Sequence, residues 1–357
     1  RSYGVQIQQN LFNGFRTRNS VRQSESQIFQ AREQLRLIEQ NVLARGATAY
    51  MDVLRDTAIL NLRRNNITVL QQQLQQTRDR FQVGEVTRTD VAQAESALAS
   101  GQSLALNAQS TLESSLATYQ QIIGVRPKRL APARPVTGPL PKSSKSSIAL
   151  ALRVHPAVVA ALHNADALQL AVKVAEGALY PSVNVTGSVQ KSYDSSNVPG
   201  ARALQSSIIA QLNVPLYDGG ASYAGIRQAK EQYGQARLQV DVQRASVGAA
   251  AVSAWGIWRQ SQLVITAQQA AVRAAEIALN GVREEAKVGQ RTTLDVLNAQ
   301  FALLNARVQL VTAQRDRVVA SYNLLAATGK LSAGTLRLKV RPYDPRVHFN
   351  QVRHKYW

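Results

Sequence analysis

RFQVGEVTRTDVAQAESAL, residues 80–98, returns as EAKVGQRTTLDVLNAQFAL at residues 285–303. Val83, Gly84, Thr87, Asp90, Val91, Ala94, Ala97 and Leu98 reappear as Val288, Gly289, Thr292, Asp295, Val296, Ala299, Ala302 and Leu303, each 205 residues on (288 − 83). One register held over that distance marks an internal duplication. In each copy a glycine suited to end one helix precedes a threonine suited to cap the next. The aspartate three residues later sits at the acidic position of a capping box. The pattern predicts a helical hairpin, twice. Capping alone would explain the turn once; its return beside other matching segments points to a shared functional tip.

Proline spacing supports long helices. None occurs before Pro127 or between Pro215 and Pro342, and proline is the strongest helix breaker. Good helix formers dominate residues 14–123 and 220–328. Apolar and small residues recur at spacings of three and four, as at Leu54, Ala58, Leu62 and Val264, Ala267, Ala271. We predict helices over 14–78 and 88–123 joined at Val83–Thr87, and over 220–283 and 293–328 joined at Val288–Thr292. A helix over 14–78 is about 98 Å long, beyond the size of a compact domain.

Other segments have the period of two that marks a strand. In 3–11, Tyr3, Val5, Ile7 and Leu11 oppose Gln6, Gln8 and Asn10. In 181–190, Val183, Val185 and Val189 oppose Asn184, Thr186 and Gln190. In 208–216, Ala210, Leu212, Val214 and Leu216 oppose Gln211 and Asn213. Strands apolar on one side and polar on the other fit a transmembrane barrel, apolar to lipid and polar to the lumen; any half-buried sheet alternates too. On the barrel reading Val5, Ile7, Val183, Val185, Leu212 and Val214 face lipid. Residues 193–205 have the chemistry of an exposed loop. Phe12-Asn13-Gly14 and Tyr217-Asp218-Gly219 close two strand runs, with an aromatic for the membrane boundary and a glycine for the change to helix.

Composition narrows the classes. The 357 residues contain no Cys and carry a formal charge of +20, which excludes thiolate metal sites. No run of 18 apolar residues occurs, so no transmembrane helix is expected. RSYGVQIQQN reads as the middle of a chain, with no signal-peptide pattern. Much of the positive charge sits in a Pro/Ser/Lys linker, 125–147, and a basic tail, 337–357; no acid occurs between Glu113 and Asp166. His155, His163, His348 and His354 lack the i, i+4 spacing of a helical metal pair. No nucleophile elbow, P-loop or dinucleotide turn appears, so neither catalysis nor a cofactor is expected. Few aromatics accompany the basic segments, which argues against nucleic acid. A soluble coiled-coil scaffold is the alternative; it explains the helices but not the strands.

Together with HPAVVAA (155–161), YPSVNVTGSV (180–189), NVPLYDGG (213–220) and YDPRVHFNQVRHKYW (343–357), the repeated turns make the chain resemble the TolC-type outer-membrane efflux proteins. The resemblance covers essentially the whole chain. It implies a mainly α fold with a small β part: long α-helical hairpins forming a periplasmic helical barrel, plus transmembrane β-barrel strands, duplicated and trimeric. The domains expected are a first repeat over 1–124 lacking its opening helix and strand, the linker, a second repeat over 148–335, and the tail over 336–357. A truncated copy is therefore expected, and three strands alone could not close a barrel, because an open edge cannot face lipid.

The resemblance further implies a homotrimer in outer-membrane lipid that extends into the periplasm. It exports drugs or proteins with a periplasmic adaptor and an inner-membrane transporter, ABC or proton-driven; the tail is similar to the protein-secretion subset. By motif position, Val83, Gly84, Val288 and Gly289 are adaptor-docking tips. Asp90 and Arg291 are gate partners between neighbouring hairpins, although Ala286 stands where an aromatic is usual. Asp295 matches one position of a carboxylate ring at the pore constriction, and Asn298 replaces the next carboxylate.

Overall fold

The computed structural model describes residues 1–138, 140–193, 200, 202–341, 343–352 and 355. Residues 194–199 and 201 of the expected loop, and His354 of the tail, lie outside the described residues. The element order is β1 (Ser2–Asn13), α1 (Arg16–Gln82), α2 (Arg88–Ile123), α3 (Ser144–Val154), α4 (Pro156–Glu176), a 3₁₀ turn (Gly177–Leu179), β2 (Ser182–Tyr193), β3 (Arg202–Asn213), α5 (Ala221–Lys287), α6 (Thr293–Ala327) and α7 (Pro345–Val352). The duplication is kept to the residue: α1 and α5 each have 67 residues, and both ends differ by 205 (221 − 16 and 287 − 82). The chain divides into two compact units, Arg1–Leu35 with Pro156–Ser246, and Arg36–His155 with Val247–Trp357.

The first unit holds a three-stranded antiparallel sheet in the order β1-β2-β3. Its register aligns Val5 with Val189, Ile7 with Gly187, Val183 with Leu212, and Val185 with Ala210. Directly opposed residues share a face of the pleat, so the apolar sets of all three strands fall on one side. A register shift between Asn10 and Phe12 leaves Leu11 as the extra residue of a bulge.

β3 corrects the expected placement. It covers Arg202–Asn213, so residues 202–205 pair with β2 rather than forming loop, and Val214 and Leu216 lie beyond the strand. Pro215 has no N–H to continue the ladder, whereas the corresponding end of β1 has no proline and runs on to Asn13.

In the same unit, α4 packs against α5 through Ala165, Ala236 and Val240, flanked by Ala161, Leu168 and Tyr233. Small residues let the two helices approach closely. The run Ser144–Leu179 contains an 18-residue window with a mean hydropathy of 1.3, enough for a membrane span by composition, where counting consecutive apolar residues finds none. The run is broken at His155–Pro156. Its α4 part carries His163, Asp166 and Lys173 and uses Ala165 for packing.

In the second unit the hairpins close along apolar seams. Leu279, Val296 and Leu303 form the α5–α6 seam, with Val282, Ala286 and Ala299 against them. Ala49, Val53 and Tyr119 join α1 to α2, and Met51, Val318 and Val319 join α1 to α6. Asp56, 3% exposed, is held in place of a further apolar contact. It accepts hydrogen bonds from Arg55 Nε at 2.7 Å and Ser115 Oγ at 2.5 Å. Arg315 from α6 pairs with Asp52 at 2.8 Å, so one charge cluster touches α1, α2 and α6. Removing one partner from such a buried cluster leaves a charge uncompensated.

The linker lies along these helices. Tyr50 donates from its hydroxyl to the Ala131 carbonyl at 2.6 Å, and the Val136 N–H donates to Ser321 Oγ at 3.1 Å. Where α6 ends, Leu324, Leu325, Thr328 and Leu331 are fully buried, and the Ala333 N–H donates to Glu39 Oε1 at 2.9 Å.

Candidate functional site

Each hairpin tip is built from the same two caps. At the first, Gly84 adopts φ +80°, its N–H donates to the Phe81 carbonyl at 3.0 Å, and the Glu85 N–H donates to the Arg80 carbonyl at 2.9 Å. At the second, Gly289 adopts φ +76° and the bonds run from Gly289 to Ala286 at 3.3 Å and from Gln290 to Glu285 at 2.9 Å. This pair of bonds is the Schellman closure, which needs a residue in the left-handed region. It carries α1 and α5 four residues past their expected ends at 78 and 283.

The next helix starts at once. Asp90 Oδ2 accepts from the Thr87 N–H at 2.9 Å, and the Asp90 N–H donates back to Thr87 Oγ1 at 3.3 Å. Asp295 and Thr292 do the same at 2.9 and 3.2 Å. Both capping boxes predicted from the sequence are therefore present. Thr292→Ala should weaken the start of α6 by about 1 kcal/mol, visible as faster amide exchange at residues 293–296; unchanged exchange would refute the role of the cap.

These bonds hold both carboxyls below the usual aspartate range. For Asp90 the Thr87 side-chain bond is the largest cause, and Thr293, from the other hairpin, also favours the charged form. For Asp295 the Thr292 backbone bond leads, with Arg291 adding attraction. A depressed folded value means that the stabilisation is complete above the unfolded pKa, about 3.9. It is lost only as pH falls from there through the lower folded value.

The tips differ in their charges. Arg80 Nε pairs with Glu85 at 2.9 Å, and Arg291 Nε pairs with Glu285 at 2.7 Å. Arg80 and Glu285 are equivalent under the 205 offset, so the third-last helical position bears opposite charge in the two copies. Within the chain Arg291 is thus engaged by Glu285, and Asp90 by Thr87. Val83 and Val288 stand out from the tips, each 71% exposed. Ala286 packs in the α5–α6 seam. Asn298 is exposed one helical turn after Asp295. Glu285, Thr293 and the Arg80–Glu85 pair are not among the expected site residues; the charge swap between aligned copies is a signal for Arg80 and Glu285, and Thr293 has none.

The strand face forms a second candidate site. Val5, Ile7, Ile208 and Leu212 are exposed on its apolar side. Aromatics bound this face. At one end Tyr3 meets Tyr193 edge-on at 6.3 Å, with Lys191 and Arg202 over the Tyr193 ring. At the other, Phe12, Phe15 and Tyr180 contact one another at 5.2 and 6.5 Å. From Tyr3 to Phe12 a strand spans about 30 Å, or roughly 23 Å at barrel tilt, against an apolar band of about 25 Å in outer-membrane barrels.

The histidines join neither site. Burial, then Arg36, pushes the His155 pKa down, and His163 lies 3.8 Å from Asp166.

The family model described as outer membrane efflux protein matches residues 1–125 and 147–330. Outer membrane efflux protein BepC of Brucella suis is 42% identical over 354 residues, 99% of this chain and 77% of its own length. Alkaline protease secretion protein AprF of Pseudomonas aeruginosa is 26% identical over 306 residues, 84% of this chain and 63% of its own. Among solved structures, outer membrane protein VceC of Vibrio cholerae superposes with a TM-score of 0.78 at 21% identity, over 92% of this chain and 79% of that one. That likeness is one of fold.

Proposed function

The chain belongs to the outer membrane efflux protein family, as a channel protein of the cell outer membrane that reaches into the periplasm, and we propose that it is the exit duct of a tripartite efflux or type I secretion system. Three copies form the duct. An inner-membrane transporter, ABC or proton-driven, and a periplasmic adaptor deliver drugs or proteins into it, and the tail's resemblance favours proteins. Val83, Gly84, Val288 and Gly289 dock the adaptor, with two bare valines as apolar contacts. The sheet meets outer-membrane lipid through Val5, Ile7, Val183, Val185 and Leu212, and Val214 continues that face past the end of β3. Residues 1–124 and 148–335 act as two repeats, joined by 125–147 and followed by the tail.

The observation that carries this reading is the apolar strand face bounded by aromatics at membrane spacing. A second support is area. The chain exposes 23103 Å², whereas a folded monomer of 38.9 kDa exposes roughly 14,000 Å². Surface on that scale calls for other copies and lipid to cover it. Planar-bilayer recording of the full-length protein purified from outer membrane tests the proposal. Discrete pores from a stable trimer are expected. A soluble monomer or dimer without pores would replace the channel with the coiled-coil scaffold.

Arg291 and Asp90 belong to the closed entrance in this reading, as links between neighbouring hairpins. Arg291→Ser should raise single-channel conductance with little change in stability. Its pair with Glu285 is half exposed, and solvent screens such surface pairs so that they contribute little to stability. Unaltered conductance would remove Arg291 from the gate.

A further inference from the structure

The channel reading leaves one feature without a role: the positive charge between the hairpins and beyond the last of them. Arg126, Lys128, Arg129 and Arg134 lie in the linker, Lys142, Lys145 and Arg153 at and within α3, and Lys330, Arg337, Lys339 and Arg341 after α6. All are exposed. No acid interrupts either segment, so these eleven residues carry more than half of the formal +20. Several cations elsewhere in the chain are paired: Arg55, Arg78, Arg80, Arg291, Arg307 and Arg315 each have a carboxylate within 4 Å. Among the described residues, none of the eleven does.

The two segments come together on one unit. Ala131 and Ala133 lie against Tyr50 and Met51 of α1, and Val136 against Ser321 of α6. The segment after α6 returns to α1 at Glu39 through Ala333. Gly329 sits so close to the end of α3 that a Cβ there would come within 2.7 Å of His155 Cα. From Glu39 to Met51 is about 18 Å of helix. A strap and a return segment, both basic and both unpaired, thus cross the same short length of the helical unit.

We propose that this belt binds the carboxylates of peptidoglycan, the anionic polymer network of the periplasm. The proposal rests on the periplasmic placement of the helical unit, not on conduction. The chemistry favours this ligand over two other polyanions. No aromatic occurs within residues 126–153 or 330–341, so there is no platform on which bases could stack. A membrane-surface anchor sets its cations on an amphipathic helix with an inserted apolar face. Here Arg126, Lys128, Arg129 and Arg134 alternate with prolines in an extended strap. Single cations spaced along an extended path suit carboxylates spaced along a strand.

The test is co-sedimentation of the full-length protein, in detergent, with purified peptidoglycan sacculi. Replacing Lys128→Glu, Arg129→Glu, Lys339→Glu and Arg341→Glu together should reduce binding about tenfold, and 0.5 M salt should do the same to the unaltered protein. Amidating the sacculus carboxylates should reduce it equally, an arm that leaves the protein's fold untouched. Binding that survives amidation or the four reversals overturns the proposal. So does binding to phosphatidylglycerol vesicles that matches or exceeds binding to sacculi. Single-channel conductance of the variant should be unchanged. Absence of pores in both proteins would count against the duct and leave the sacculus result standing.

Discussion

Gly14→Ala should destabilise the protein by about 3 kcal/mol or more, while Gly219→Ala, its duplicate 205 residues on, should cost only about 1–2 kcal/mol. Both glycines lie two residues before a long helix, α1 or α5, and both hold nearly the same backbone, φ +64° and +67°. The left-handed conformation penalises any L side chain at either site. Their surroundings differ. A Cβ on Gly14 would come within 2.8 Å of Tyr180 Cβ and closer still to the Gly177 carbonyl oxygen, whereas around Gly219 nothing lies within 4 Å. Backbone cannot yield as a side-chain tip can, so the first copy suffers steric displacement in addition to strain. Gly177 completes the contact: its own Cβ would meet the Gly14 carbonyl oxygen at 2.7 Å. Thermal unfolding of the two variants, followed by circular dichroism, checks the prediction. Equal losses would mean that the conformation alone matters and that the Gly14–Gly177 approach does not.

That comparison shows what the sequence makes legible. Duplication predicts that Gly14 and Gly219 share a conformation, and the helices α1 and α5 that follow them match to the residue. It does not predict what packs against them. The hairpin tips were readable because everything they need is local: a glycine for the left-handed turn, then a threonine and an aspartate at capping distance. Strand faces were readable from alternation, but the extent of β3 was not. Its first residues, Arg202–Gln205, have no clean period of two, and they are held as strand by pairing with Tyr193–Gln190. The charge cluster of Asp52, Asp56 and Arg315 left no signal, because its members meet only when α6 packs on α1, across 263 residues. The same holds for the linker, whose prolines mark it as non-helical but say nothing of Tyr50 or Ser321. Helix α3 is hard to read from sequence although Ser143 and Ser146 form a capping box before it, because a serine-rich stretch between prolines reads first as linker.

Asp295→Asn should reduce the cation preference of the open channel several-fold while leaving the tip folded. Asp295 does two things at once in the proposed duct. One oxygen, Oδ2, accepts from both the N–H and the hydroxyl of Thr292, each at 2.9 Å. Its charge, repeated by three copies around an axis, concentrates negative potential at the entrance. An asparagine keeps an oxygen for the cap and removes the charge, which separates the two effects; Asp295→Ala removes both and should also loosen α6. Asn298 lies one helical turn after Asp295 and is exposed, so Asn298→Asp should add a second carboxylate beside it and increase the cation preference. The pH dependence follows from the hydrogen bonds. With the carboxyl held below the usual aspartate range, selectivity should persist as pH falls to about 3.9, where an unperturbed aspartate is half protonated, and fade only at more acid pH. Reversal potentials under a salt gradient, recorded for the parent and the three variants from pH 7 down to pH 3, decide the matter. An Asp295→Asn channel with unchanged selectivity would place the constriction elsewhere, and a selectivity lost already near pH 5 would assign it to a different carboxyl group.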